Sequence, residues 1–188
     1  MTAIAAPFGF RPAFNTTGLE RAKKYAIAAA YNTTLYKGQM VTLNTNGTIT
    51  TAAGAADFLG IFAGCEFVDA NGKPNFQNFW PASQAVFSGT TPVAWVWDDP
   101  TNVYEVQATG SIAQAGIGDQ ADGVNFANGS TLTGLSTMAL STLVGAGVQG
   151  QWRITGFSLD PNNSPGDAFT IVQVMSARSQ YISNKVAV

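Results

Sequence analysis

The chain alternates short apolar runs with clusters of Gly, Asn, Asp and Pro. Runs of this length and spacing predict the strands of an all-β sandwich or barrel. In "QMVTLNTNGTITTAA", Asn46-Gly47 separates two runs rich in Thr, Val and Ile, which predicts a tight hairpin. "FLGIFAGCEFVDANGKPNFQNFW" repeats the device, with Asn71-Gly72 between two aromatic-rich strands. "TPVAWVWDDPTNVYEVQATG" predicts a third hairpin, turning at Asp98-Asp99-Pro100-Thr101-Asn102. On its first strand Val93, Trp95 and Trp97 share one face; on its second, Val103, Glu105 and Gln107 alternate with Tyr104, Val106 and Ala108. "GQWRITGFSLD" and "AFTIVQVMSA" predict two late strands joined by the turn "DPNNSPGD".

Two regions break the pattern. "GLERAKKYAIAAAYN", residues 18–32, is built from good helix formers. Tyr25, Ile27 and Ala29 nevertheless alternate, so a strand is expected after Lys24. The middle, "ATGSIAQAGIGDQADGVNFANGSTLTG", is rich in Gly and Ala and weakly periodic, and reads as a long surface excursion or a small flap. No repeat of fixed length and no linker appears, so one domain is expected. It is a single β-barrel or sandwich-like body over residues 18–188, preceded by an extended N-terminal arm over residues 1–17.

That arm contains "APFGFRP", residues 6–12. No Lys or Arg precedes Arg11 and prolines interrupt the apolar part, so a secretory signal is not expected. Pro7 and Pro12 favour an extended path, and Phe8 and Phe10 carry large apolar area that something must cover. Two covers are open: pockets on a neighbouring protein, with Arg11 pairing a carboxylate there, or the chain's own core.

Composition sharpens the picture. The chain is 46% hydrophobic but only 11% charged, against about 25% in a typical soluble protein. Charge is the usual safeguard against association, so a low-charge surface suits a protein that lives inside an assembly. Net charge is -2 and the pI about 4.8, which makes nucleic acid an unexpected partner. Residues 1–40 carry Arg11, Arg21, Lys23, Lys24 and Lys37 against Glu20 alone. This basic cluster either docks on an acidic protein surface or is simply solvated. No run of about 20 apolar residues is present, so no membrane-spanning helix is expected.

Candidate chemistry is sparse. Histidine is absent, which removes Ser-His and Cys-His pairs and histidine metal sites. Cys65 is the single cysteine and lies in an apolar run, where a small buried residue is expected. Carboxylates remain: Asp98-Asp99 are neighbours, as are Asp119 and Asp122, and Asp98-Asp99-Pro100 has turn composition. "DPNNSPGD" departs from a helix-loop-helix calcium loop, with Pro165 and Ile171 where Gly and Glu belong. No catalytic residue, cofactor or metal is therefore assigned. Trp80, Trp95 and Trp97 are candidates for a sugar-stacking platform, against the alternative of core packing.

"APFGFRP", "KGQMVTLNTNGTIT", "LGIFAGCEFVDANGKPNFQNFWPAS", "AWVWDDPTNVYEVQATG" and "WRITGFSLDPNNSPGDAFTIVQV" follow one another along nearly the whole chain. In that order they resemble the head cement, or decoration, proteins of tailed bacteriophages. The resemblance implies a non-enzymatic structural protein on the outer surface of the virion capsid, assembled in the host cytoplasm. It implies the major capsid protein as partner, and a homotrimer. The residues expected to meet the partner are Pro7, Phe8, Phe10, Arg11, Pro12, Arg21, Lys23 and Lys24. The alternatives are a phage tail or fibre component, or a carbohydrate-binding module using exposed aromatics.

Overall fold

A computed structural model describes residues 4–182. These form sixteen strands and one turn of 3-10 helix (Gln114–Gly116), with no α-helix among the described residues. The first strands are β1 (Arg11–Asn15), β2 (Lys23–Ile27), β3 (Leu35–Tyr36), β4 (Met40–Leu43) and β5 (Thr48–Thr51). Next come β6 (Gly60–Val68), β7 (Pro74–Gln77), β8 (Phe79–Trp80), β9 (Val93–Trp97) and β10 (Asn102–Gln107). The last are β11 (Gln120–Val124), β12 (Gly129–Ser130), β13 (Leu135–Ser136), β14 (Ala139–Leu143), β15 (Trp152–Phe157) and β16 (Ile171–Ser176). The expected all-β class and barrel are thus present, and residues 23–27 are strand rather than helix.

Five strands close a barrel in the order β4-β5-β2-β9-β6, with β4 pairing back onto β6. Only β2 and β5 run parallel. β7 is appended to the outside edge of β6. The hairpin β4–β5 turns at Asn46-Gly47 and β6–β7 at Asn71-Gly72, with Gly47 and Gly72 at positive φ as such turns require. Inside the barrel, Ile27, Val41, Ile49, Phe62, Phe67, Ala94 and Val96 meet Leu35 and Trp80 from the short pair β3–β8. Burying an aliphatic or Phe side chain this completely stabilises by about 1.5–3 kcal/mol each. Trp80 packs edge-on to Phe67 at 5.4 Å and donates its indole N–H to the Tyr31 carbonyl at 3.3 Å.

A second, antiparallel sheet runs β1-β10-β16-β15-β11-β14 and curls until Leu140 on β14 bridges Ala108 just past β10. Its concave face packs against the outer wall of the barrel, where alternate residues of β4 and β6 point outward. Met40 and Ile61 therefore join this second core, while their neighbours Val41 and Phe62 fill the barrel. Trp152 is central: it lies 4.5 Å from the Phe10 ring, 4.6 Å from Phe58 and 5.5 Å from Tyr104. Gln151, fully buried, ties the two bodies together. Its amide donates to the carbonyls of Ala53 and Ala56 at 2.9 and 2.7 Å and accepts from the Gly123 N–H at 3.1 Å. β1 and β7 are edge strands, and each holds a proline, Pro12 and Pro74.

Three sequence expectations are corrected. β9 and β10 are not a hairpin. β9 already has β2 and β6 on its two sides, so no edge is left for β10, and the chain crosses into the second sheet. The turn itself forms, with Asn102 N–H donating to the Asp99 carbonyl at 3.1 Å and Thr101 capped by the Asp99 carboxylate. The Gly-rich middle is an excursion only in part. Residues 129–136 make a small hairpin with Leu132 exposed, but Gln120–Val124 is an interior strand of the second sheet. Gly123 is small there because the Met40 sulfur, Met138 and Phe126 occupy the space of a side chain. Finally, the core face of β9 is the small one: Ala94 and Val96 point in, and Trp95 and Trp97 point out.

Candidate partner-binding surface

The N-terminal stretch lies along its own body rather than standing off it. Phe10 is 1% exposed, so of the two covers left open by the sequence its own core is the one found. Main-chain bonds fix the approach: Gly9 N–H to the Met138 carbonyl at 3.1 Å and Phe10 N–H to the Gly38 carbonyl at 2.9 Å. Upstream, Gln107 holds Ala6 N–H at 2.7 Å and the Ile4 carbonyl at 2.9 Å. Residues 11–15 are then strand β1 against β10, with a register shift between Pro12 and Phe14.

Phe8, only half-buried, lies along a cleft of about 440 Å³. Phe8, Phe10, Arg11 and Pro12 form one wall; Lys37 and Gly38, from the turn between β3 and β4, form the other. Trp97 closes it at the barrel end, with Glu20 and Leu135 completing the lining. Each accessible ring is faced by a cation. The Arg11 guanidinium sits 4.9 Å from the Phe8 centroid and the Lys37 ammonium 5.9 Å from that of Trp97. The cleft thus offers apolar area with a mixed rim, Arg11 and Lys37 beside Glu20, a fit for an apolar side chain on a polar chain segment.

Arg11 is held from the other side by Glu105 at 2.6 Å, so its carboxylate partner belongs to its own chain. Glu105 also accepts from the Ser158 hydroxyl at 2.9 Å. Burial opposes ionisation of Glu105, but the hydrogen bonds from Arg11 and Ser158 outweigh it and hold the carboxyl below its ordinary value of 4.5. The unfolded chain therefore takes the proton first on acidification. This stabilisation is complete above the ordinary value and is lost as pH falls through the lower folded value. With the Arg11 side chain 62% exposed, solvent screening limits the pair to about 0.2–1 kcal/mol. The stability gap between the parent and Arg11→Met is expected to shrink from neutral pH to about pH 3. Thermal melts at both pH values check this, and a gap that stays constant contradicts it.

The rest of the basic cluster divides. Lys23 pairs at 2.9 Å with Asp98, whose carboxylate is buried and also accepts from the Tyr25 hydroxyl at 2.6 Å. The Asp98 hydrogen bond raises the Lys23 ammonium above its ordinary value, against a smaller effect of burial. Tyr25 is also pushed up, by burial first and by Asp98 second, and its hydroxyl meets that of Tyr181 at 2.7 Å. Lys24 pairs with Glu66 at 2.7 Å on the outer barrel face. Arg21 is exposed and Pro7 half-buried beside the cleft wall. Of the eight sequence-selected residues, the cleft gathers Phe8, Phe10, Arg11 and Pro12. It adds Lys37, Trp97 and Leu135, which no spacing in the sequence links to them.

The other candidates resolve into structure. Cys65 is buried, its thiol donates to the Phe79 carbonyl at 3.2 Å, and burial pushes it up to about 12. In "DPNNSPGD" the Asp160 and Asp167 carboxylates accept from the N–H groups of Asn162 and Ser164. The Asn163 side chain there staples Ser158 to Ile171 across the loop. No family model, curated protein or solved structure matches this chain.

Proposed function

We infer that this is a structural, non-enzymatic virion protein of a tailed phage. It binds the outer surface of the mature capsid as a trimer and bridges subunits of the major capsid protein. The observation that carries the reading is the cleft beside "APFGFRP": an apolar groove with a charged rim, on a rigid wall that the core holds in place. The ordered resemblance to head cement proteins and the low charge of the chain support it. A ligand of the assembled shell stabilises that shell by mass action, and three weak sites on one trimer reinforce one another through effective concentration.

The test uses capsids of the source phage stripped of this protein, with the purified chain added back and sedimented. Parent protein is expected to saturate at a near-stoichiometric ratio to the major capsid protein. Leu135→Asp and Lys37→Glu, both on the accessible rim, are expected to weaken binding by about 30-fold, the scale of an interface hot spot, with unchanged melting temperature. Full binding by both variants overturns the cleft as the docking site. A few copies per particle would move the protein to the tail.

A further inference from the structure

The outer face of the barrel poses a separate question. Trp95 and Trp97 point to the same side of β9. Trp97 packs in part against the second core and closes the cleft beside Phe8 with the rest. Trp95 sits on the part of the wall that the second sheet does not reach, and Phe76, on the edge strand β7, is 76% exposed.

Between them the wall is cut away. The register of β6 against β9 shifts between Phe62 and Gly64, which places Gly64 opposite Trp95. Gly64 has φ +147°, and a Cβ there would lie 2.9 Å from the Gln77 carbonyl oxygen, so no side chain can fill the gap. The result is an open slot of about 550 Å³ with Trp95 on one side, Phe76 on the other and the Gly64 backbone between. Gln77 and Asn78 are also in its lining. The Gln77 Oε1 is itself buried, without a hydrogen-bond partner among the described residues, so Asn78 is the amide at the slot's open side.

We propose that this slot is a carbohydrate-binding site that takes a neutral pyranose ring. A pyranose presents an apolar C–H face to an aromatic ring and a rim of hydroxyls to amide side chains, which are both donors and acceptors. The electrostatics select a neutral ligand. Lys24, beside the slot, lies 4.6 Å from the Trp95 ring and is already paired with Glu66 at 2.7 Å. A nucleic acid would bring phosphates, which Lys24, paired with Glu66, is not free to neutralise. A second copy of the chain would need about 800 Å² of complementary surface on each side, whereas this slot is bordered by Lys24, Glu66 and Asn78. The site stands independently of the capsid reading.

The experiment is calorimetric titration of the intact protein with maltohexaose, cellohexaose and galacto-oligosaccharides, beside a printed array of neutral and acidic glycans. At least one neutral oligosaccharide is expected to bind saturably. Trp95→Ala and Phe76→Ala are each expected to weaken that binding by about tenfold or more, with parental melting temperature and parental mass in solution. Phe76→Ala alters an exposed edge position, so it keeps the test open if Trp95→Ala folds poorly. Four outcomes overturn the proposal: no saturable binding, hits confined to acidic glycans, binding that survives both substitutions, or a change in oligomer mass instead of sugar affinity.

Discussion

A Phe10→Ala variant is expected to lose about 3–5 kcal/mol of stability. Urea unfolding should show a lower midpoint at unchanged slope, the signature of a stability loss. The size follows from where the ring sits. It is buried, stacked at 4.5 Å on Trp152, and Trp152 is the residue that Phe58 and Tyr104 also pack against. Deleting the ring removes its own transfer energy and leaves a cavity whose walls are held by strands on several sides. Phe8→Ala is the internal comparison. That ring is half-buried and supports Arg11, so its loss should cost about 1 kcal/mol. Equal stability of parent and Phe10→Ala would contradict the core assignment, and with it the view that the cleft wall is rigid.

Gln151→Leu should rank next, at about 2–4 kcal/mol, although the substitution makes the chain more hydrophobic. Leucine fits a buried position but answers none of the groups that Gln151 serves. The Gly123 N–H is buried and would be left without an acceptor, and the carbonyls of Ala53 and Ala56 would lose their donor. The two carbonyls lie nearer solvent and can recruit water, so most of the cost falls on Gly123. Thermal unfolding checks the magnitude; a variant more stable than the parent would show that the join between barrel and second sheet is carried by apolar contact alone.

The sequence was most informative where structure is local. Asn46-Gly47 and Asn71-Gly72 announce their hairpins because positive φ at a turn is a property of a few neighbouring residues. The alternation of Tyr25 and Ile27 identifies β2 against its helix-forming composition, since packing overrides propensity. What failed was pairing. Nothing in residues 93–107 says that β9 is enclosed by β2 and β6, so a plausible hairpin becomes a crossing between sheets. The sequence left Trp95 and Trp97 open between an exposed platform and a core; Ala94 and Val96 fill the barrel instead, and Trp97 packs in part on the second core. The cleft is legible in half. "APFGFRP" marks one wall, but Lys37, Trp97 and Leu135 arrive from three distant strand ends. Gln151 gives no signal at all, because a single glutamine before a strand looks like any polar flank.

Pro12 and Pro74 lie on the edge strands β1 and β7. An edge strand is a template for further strands, and charged side chains are the common way to blunt it. A chain with 11% charged residues has few to place there. Proline does the same work without charge, because it offers no N–H to an incoming strand on either side. Pro12, which helps keep the N-terminal stretch extended, therefore also guards the protein, with Pro74, against open-ended stacking of its own copies, so that crowding on a surface need not turn into fibre growth.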